Sequence, residues 1–436
     1  MVPIDIPSSH GTADAVVPAQ DPAAVRVALV AYHTDATGTA IFLVLRGAPE
    51  PCVFHATDPT TGRPVTLQHL QDVARRLLVD FHGLPERWDS RADAHAYARV
   101  LRELSPVTPP QQRRFPIRDA LLDNPRFDYG LTYWERLSEA LLPAALREAV
   151  AGCDLLCIVP HGPLHLLPFA ALRWSADEYL IERIGLAYAP SATVLRFCQY
   201  KNRRRRAGPT YRATSALVAA AAAAGDDPAL FDADRQTLVS LLGGGHVTSL
   251  IGAGPAGLPA SKETIAQRAA GHDIIHLACH GVFASDLGSP DPLDSALLVS
   301  DGRSIPPLAM LPRLTPQERA NFLLTAREVF ALELEADLVT LRACSSGRAE
   351  VHSGDELLGL SRAFLYAGAP SLIVAQWNVS QRSSSALLDA FYRLWLDEAA
   401  PLPKWAALRE AQRRMLRGRD RHPYHWAPYV LTGDWL

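Results

Sequence analysis

Past residue 207 the chain alternates short apolar runs with longer amphipathic ones, and this alternation constrains the fold more than any other feature. The runs follow the order SALVAAAAA, DADRQTLVSLLG, HDIIHLACH, LEADLVTLRAC, DELLGLSRAFLYAG, SLIVAQWNV and SSALLDAFYRLWL. A short continuous apolar run fits a strand buried on both faces, and the longer runs carry helical periodicity. Strand–helix alternation of this kind builds a mostly parallel sheet with helices on both faces, so the expected class is α/β. In such sheets functional groups collect at the carboxyl ends of the strands.

Composition narrows the possible functions. With 436 residues, 48% hydrophobic and 20% charged, the chain can bury two or three domains or one composite unit. A net charge of -3 gives no electrostatic case for nucleic acid or an anionic membrane as partner. The most apolar stretch, Ala216–Ala224, is far shorter than the ~20 residues that span a bilayer. Residues 1–24 lack a basic start followed by an apolar run, so they read as a flexible tail and not a secretory leader. The expected location is the cytoplasm, with six reduced cysteines. Cys153 and Cys157 have no partner pair at zinc-site spacing, and no repeat of solenoid length is visible.

Before residue 207 the pattern is mixed. VRVALVAYHTDATGTAIFLVLRG reads as two strands around a polar turn at Thr34–Gly38. Residues 66–104 carry helical periodicity, Tyr133–Val150 reads as one helix despite Pro143, and CDLLCIVPHG reads as a strand. The basic run Arg203–Arg206 reads as a solvated loop, with an acidic-partner site or a cleavage site between halves as alternatives.

Two motifs suggest chemistry. Gly252–Gly257 (GAGPAG) satisfies the dinucleotide pattern G-x-G-x-x-G. That function needs a strand before the glycines, a helix opening on them, and an acid ~20 residues on. Here Val247–Ile251 is a short strand candidate, Pro259 falls within the required helix, and DIIHLACH ends without an acid. The expected structure is a Gly/Pro loop leading to a helix at Lys262–Ala269.

The second motif pairs His280 with Cys344. IIHLACHG and LVTLRACSSG are apolar strands ending at His280-Gly281 and at Cys344-Ser345. If they are neighbours, imidazole and thiol reach the same edge. A histidine there can move the thiol proton, and a thiolate is a strong nucleophile. The N–H groups of Gly281 and Cys344 are candidate oxyanion donors. The competing reading is a buried structural thiol and a loop-capping histidine. His276, Cys279 and His280 crowd one strand, but 276 and 280 share a face while 279 points away, so no metal site is expected.

HLACHG followed by LRACSSG resembles the CHAT family, caspase-like cysteine peptidases related to separase. The resemblance extends to IVPHGPLHLLPFAAL, YLIERIGLAYAPSATVL, GDELLGLSRAFLYAGAPSLIVAQWNVS, ALREAQ and HWAPYVLTGD, and so covers roughly residues 25–436. It implies a caspase-like sheet in which a pseudo-caspase half (25–206) packs against a catalytic half (207–436). It also implies His280 and Cys344 as the dyad and no cofactor. The implied partner is a protein substrate, possibly encoded by a neighbouring gene, cleaved in bacterial defence or regulated cell death. The resemblance implies an activating partner or ligand as well, with the Ala284–Ala320 insertion as the mobile piece.

One departure bears on specificity. Relatives commonly read Trp-x-Val-x-Asp, and in separase that acid is associated with a P1 arginine; this chain has Trp377-Asn378-Val379-Ser380-Gln381. A neutral Gln381 cannot offset the desolvation of a guanidinium, so the expected P1 residue is neutral or apolar. Asp355 and Glu356 are the nearby acids that would allow a basic P1. Trp377 and Ser345 complete the candidate substrate contacts. The rival functions are a catalytically silent scaffold that binds a partner protein, and a dinucleotide-dependent oxidoreductase.

Overall fold

The computed structural model describes residues 25–82, 131–205, 212–222, 228–251, 258–284, 287–300, 305–306, 308–345, 354–377 and 381–436. The strands of the first half are β1 (Val27–Thr34), β2 (Thr39–Leu45), β3 (Cys52–His55), β4 (Leu155–Val159), β5 (Arg173–Ser175), β6 (Glu178–Tyr179) and β7 (Gly185–Tyr188). Those of the second are β8 (Ala216–Ala221), β9 (Val247–Ile251), β10 (Ile274–Val282), β11 (Ala296–Leu298), β12 (Leu323–Thr325), β13 (Leu338–Ser345), β14 (Ser371–Ala375) and β15 (Tyr429–Gly433). All but the β5–β6 hairpin join one 13-stranded sheet.

The order β10-β13-β14-β15-β7-β4-β1-β2-β3 runs through the sheet without a break. β8, β10, β13 and β14 are mutually parallel, as are β1, β4 and β7. The second half thus obeys the strand–helix alternation. β4 is buried along Leu155–Ile158, and β8 is buried at every residue, as continuous apolar runs require. β15 joins the two ends, pairing antiparallel with β14 and parallel with β7 through Thr432 and Tyr188.

Among the described residues, the α-helices of seven or more residues are α1 (Leu67–His82), α2 (Leu131–Leu141), α3 (Ala144–Val150), α4 (Ala192–Arg205), α5 (Pro228–Leu242), α6 (Lys262–Ala269), α7 (Gly354–Ala367), α8 (Gln381–Trp395) and α9 (Lys404–Arg417). α8 is amphipathic, burying Leu387, Leu388, Phe391, Tyr392 and Trp395 at helical spacing. Lys404 of α9 is fully buried, and its ammonium meets Asp337 at 2.8 Å, Ser371 Oγ at 2.9 Å and the Leu436 carbonyl at 2.5 Å. That contact ties α9 to the entrances of β13 and β14. Gly368 and Gly433 take φ of +132° and +94°, and a Cβ there would lie 2.0 Å from the Leu334 carbonyl and 2.2 Å from that of Pro370. These two turns therefore admit only glycine.

Three local expectations change. The helix expected over Tyr133–Val150 is two helices, because Pro143 cannot continue the first and instead stands at the N-cap of α3. Of the run Arg203–Arg206 read as a loop, residues 203–205 end α4, and Arg206 lies outside the described residues. That helix is fixed to β15 by the Asn202 amide, which donates to the Asp434 carboxylate. Within Ala284–Ala320, β11 pairs antiparallel with β10, and β12, just beyond that stretch, extends the antiparallel ribbon. Its connection is pinned where Ala284 N–H donates to Ser295 Oγ and Ser289 Oγ to Asp294. Residues 1–24, 83–104 and Gly252–Gly257 lie outside the described residues.

Candidate active site

β10 and β13 are adjacent, parallel and in a register that pairs His276 with Thr340, Ala278 with Arg342, His280 with Cys344, and Gly281 with Ser345. His280 and Cys344 thus occupy one rung at the carboxyl end of both strands. Register partners in a parallel pair stand ~4.8 Å apart on the same pleat face. His280 is half-buried, and Gly281 is buried. β8 stops at Ala221 beside Cys279, and β11 takes over that side of β10, pairing Leu297 with Gly281.

The other candidate residues follow the carboxyl ends of the same strands. Asp355 and Glu356 lie in the first turn of α7, after β13. Trp377 follows β14, and Gln381 opens α8. Trp377 is 2% exposed, and its indole N–H donates to the Tyr424 carbonyl at 3.2 Å. Gln381 is half-buried. Beside Gly281 a cavity of about 30 Å³ is walled by Phe283, Leu341, Leu360, Gln376 and Trp377.

Beneath the His280–Cys344 rung lies a cluster that the sequence reading did not identify. Asp234 of α5 accepts from the Arg342 guanidinium at 2.5 Å and meets His276 Nε2 at 3.0 Å. His276 Nδ1 lies 3.0 Å from the Tyr392 hydroxyl, which lies 2.8 Å from Thr340 Oγ1. All five residues are buried. Burial works to raise the Asp234 carboxyl, but the bonds from His276 and Arg342 outweigh it and hold the group at about 2. Tyr392 is driven up by burial and stays neutral. A signal was present in the sequence: Arg342 interrupts an apolar strand, and a charge buried there requires a partner. His276 finds its place as support in the core.

The remaining thiols separate by environment. Cys157, Cys198 and Cys279 are buried, and burial pushes Cys157 up to about 12 and Cys198 to about 11. Such thiols are poor nucleophiles at neutral pH. Cys52 is exposed.

The dinucleotide reading meets one of its requirements. β9 is a strand, but α6 opens at Lys262, beyond Pro259, and is capped by Ser261 Oγ accepting from the Thr264 N–H at 3.1 Å. A helix starting there does not open on Gly252–Gly257.

A mostly parallel sheet with a histidine and a cysteine on one rung at its carboxyl edge defines a caspase-like α/β protein. Residues 131–434 match the CHAT domain model, and the chain belongs to that family. Tetratricopeptide repeat protein 28 of Homo sapiens is 30% identical over 316 residues, and that of Mus musculus 28% over 310; each match covers 64% of this chain. The chain spans only 12% of the length of these relatives. Two structures of the Saccharomyces cerevisiae separase–securin complex share the fold with TM-scores of 0.52 and 0.53, at 10% identity. Each covers 94% of this chain and 30% of the separase chain. Among the described residues no helix is long and apolar enough to cross a membrane.

Proposed function

We propose that the chain is a cysteine endopeptidase acting on a partner protein. The observation that carries the reading is the β10–β13 register, which sets His280 and Cys344 on one rung at the carboxyl edge of the sheet. Cys344, as thiolate, attacks the scissile carbonyl; His280 takes the thiol proton and delivers it to the leaving amine. The tetrahedral oxyanion is held by the N–H groups of Gly281 and Cys344. Water then hydrolyses the acyl-enzyme, with His280 as base. No step requires a cofactor. Proteolysis in bacterial defence or regulated cell death, on a substrate from a neighbouring gene and under an activating partner, is carried by the family resemblance.

A neutral or apolar P1 residue fits the walls next to Gly281, where Phe283, Leu341 and Leu360 are apolar and Gln376 supplies an uncharged amide. A carboxylate, which a guanidinium needs to offset its desolvation, is not among these lining groups. A peptide library incubated with the protein tests both statements. Cleavage after neutral or apolar residues, abolished by Cys344→Ala, is the expected result. Full cleavage by Cys344→Ala would exclude the mechanism. Cleavage only after arginine would exclude the P1 assignment and return Asp355 and Glu356 as its acids. Partner binding that survives Cys344→Ala, with no cleavage by either protein, would favour the silent scaffold.

A further inference from the structure

The Asp234 cluster takes no part in the steps above, yet it is built around the same two strands. We propose that Arg342, held by Asp234, is a positioning residue whose fixed positive charge lies beneath Cys344 and favours its thiolate. The inference rests on the reading of Cys344 as the nucleophile.

Three observations carry it. Arg342 lies in a strand whose neighbours Leu338, Val339 and Leu341 are buried and apolar, and it is itself only 4% exposed. A methionine or leucine would fill that space without the cost of burying a charge, so packing alone does not call for a guanidinium. Arg342 and Cys344 are two residues apart on one strand, about 7 Å, on the same pleat face. The rung partner of Arg342 on β10 is Ala278, a small residue. Finally, Asp234 divides its carboxylate between Arg342 and His276.

The other charges on the covering helices have their own partners. Asp232 pairs with Arg235 on α5 at 2.5 Å, and Asp389 with Arg393 on α8 at 2.9 Å. Thr237 Oγ1 donates to Asp389 at 2.7 Å, and Tyr392 bridges His276 and Thr340 as a neutral hydroxyl. Arg342 and Asp234 are paired across elements, one on the strand of the thiol and one on α5.

The test measures the ionisation of Cys344 directly and needs no peptidase turnover. The full chain is alkylated with iodoacetamide at a series of pH values, and the rate at Cys344 is read from its peptide by mass spectrometry. Arg342→Gln should raise the midpoint by about 1.7 pH units, the size expected of one unit charge at this spacing and an effective dielectric of ~20. Below the midpoint that is a roughly fiftyfold slower reaction. Asp234→Asn should lower the midpoint by a similar amount. Opposite shifts support the proposal; unchanged midpoints, or shifts in one direction, overturn it, since a structural role predicts no sign.

In Arg342→Gln the Asp234 carboxylate keeps its bond to His276. Buried Cys157 reports the fold in every sample, because it reacts only on unfolding. If both variants unfold, Arg342→Lys decides the matter. It keeps the charge, so its midpoint should stay within about 0.3 units, and a full-unit rise would overturn the proposal. Failure of the peptidase reading is separate: it appears as absent peptide cleavage in a wild-type chain whose Cys344 midpoint still responds to Arg342 and Asp234.

Discussion

Trp377 offers the sharpest test of how the candidate edge is built, because sequence and structure assign it different work. Its motif position suggests a substrate contact, whereas the structure buries it with its indole N–H bonded to the Tyr424 carbonyl. Truncation to alanine removes a large buried aromatic group and leaves a cavity, a change that costs ~3–5 kcal/mol. An unfolding entropy of ~2.1 cal/mol/K per residue gives about 0.9 kcal/mol/K for a cooperative chain of this size, so Tm should fall by ~3–6 °C. Trp377→Phe keeps most of the volume but loses the N–H bond, and should cost about 1–2 kcal/mol and ~1–2 °C. The assay is thermal unfolding followed by circular dichroism. A Tm for Trp377→Ala within ~1 °C of wild type, together with a raised KM for peptide, would refute the structural role and restore the substrate contact.

Other predictions follow from the same contacts. Lys404→Met leaves the Asp337 carboxylate buried without its ammonium and should destabilise by ~3–5 kcal/mol, while Lys404→Met with Asp337→Leu should recover most of the loss in urea titrations. His165 and His422 are held down to about 4, chiefly by burial, with Arg362 and His161 adding to the first and His425 to the second. Between pH 6.5 and 4 the unfolded chain takes up these protons and the folded one does not, so stability should fall on acidification and His422→Gln should flatten the slope. Asp234 has the opposite kind of depressed group, a carboxylate, so its contribution is present above pH ~4 and lost as pH falls towards 2; Asp234→Asn should remove that last acid step. Gly368→Ala and Gly433→Ala should each express poorly or unfold early, because the added methyl meets a backbone carbonyl.

The parts of the fold legible in the sequence are those in which a local pattern decides the outcome. β10, β13 and β14 are short, mostly apolar runs, and their strand–helix spacing leaves parallel pairing as the economical arrangement. The alignment of His280 with Cys344 goes with that, since each stands near the end of its strand. The β11–β12 ribbon was not legible, because two three-residue strands in a Pro-rich stretch carry no usable alternation. The break at Pro143 was hidden by apolar periodicity that runs on through both helices.

The Arg run misled for a related reason. Its charge suggests solvent, and a helix end satisfies that as well as a loop does. The Asp234 cluster depends on contacts between residues 42 and 108 positions apart, which a one-dimensional pattern does not contain. The single legible trace was the cost of burying Arg342, from which the existence of an acid can be deduced but not its address.

Labelling by a peptide-borne thiol electrophile shows whether Cys344 and His280 act together. The full chain is treated at neutral pH with the neutral or apolar P1 probe that the cleavage profile selects, and the adduct is located by mass spectrometry. The expected result is one adduct, on Cys344, formed at least tenfold more slowly in His280→Ala. Equal labelling of wild type and His280→Ala, or an adduct on exposed Cys52 in place of Cys344, would contradict it.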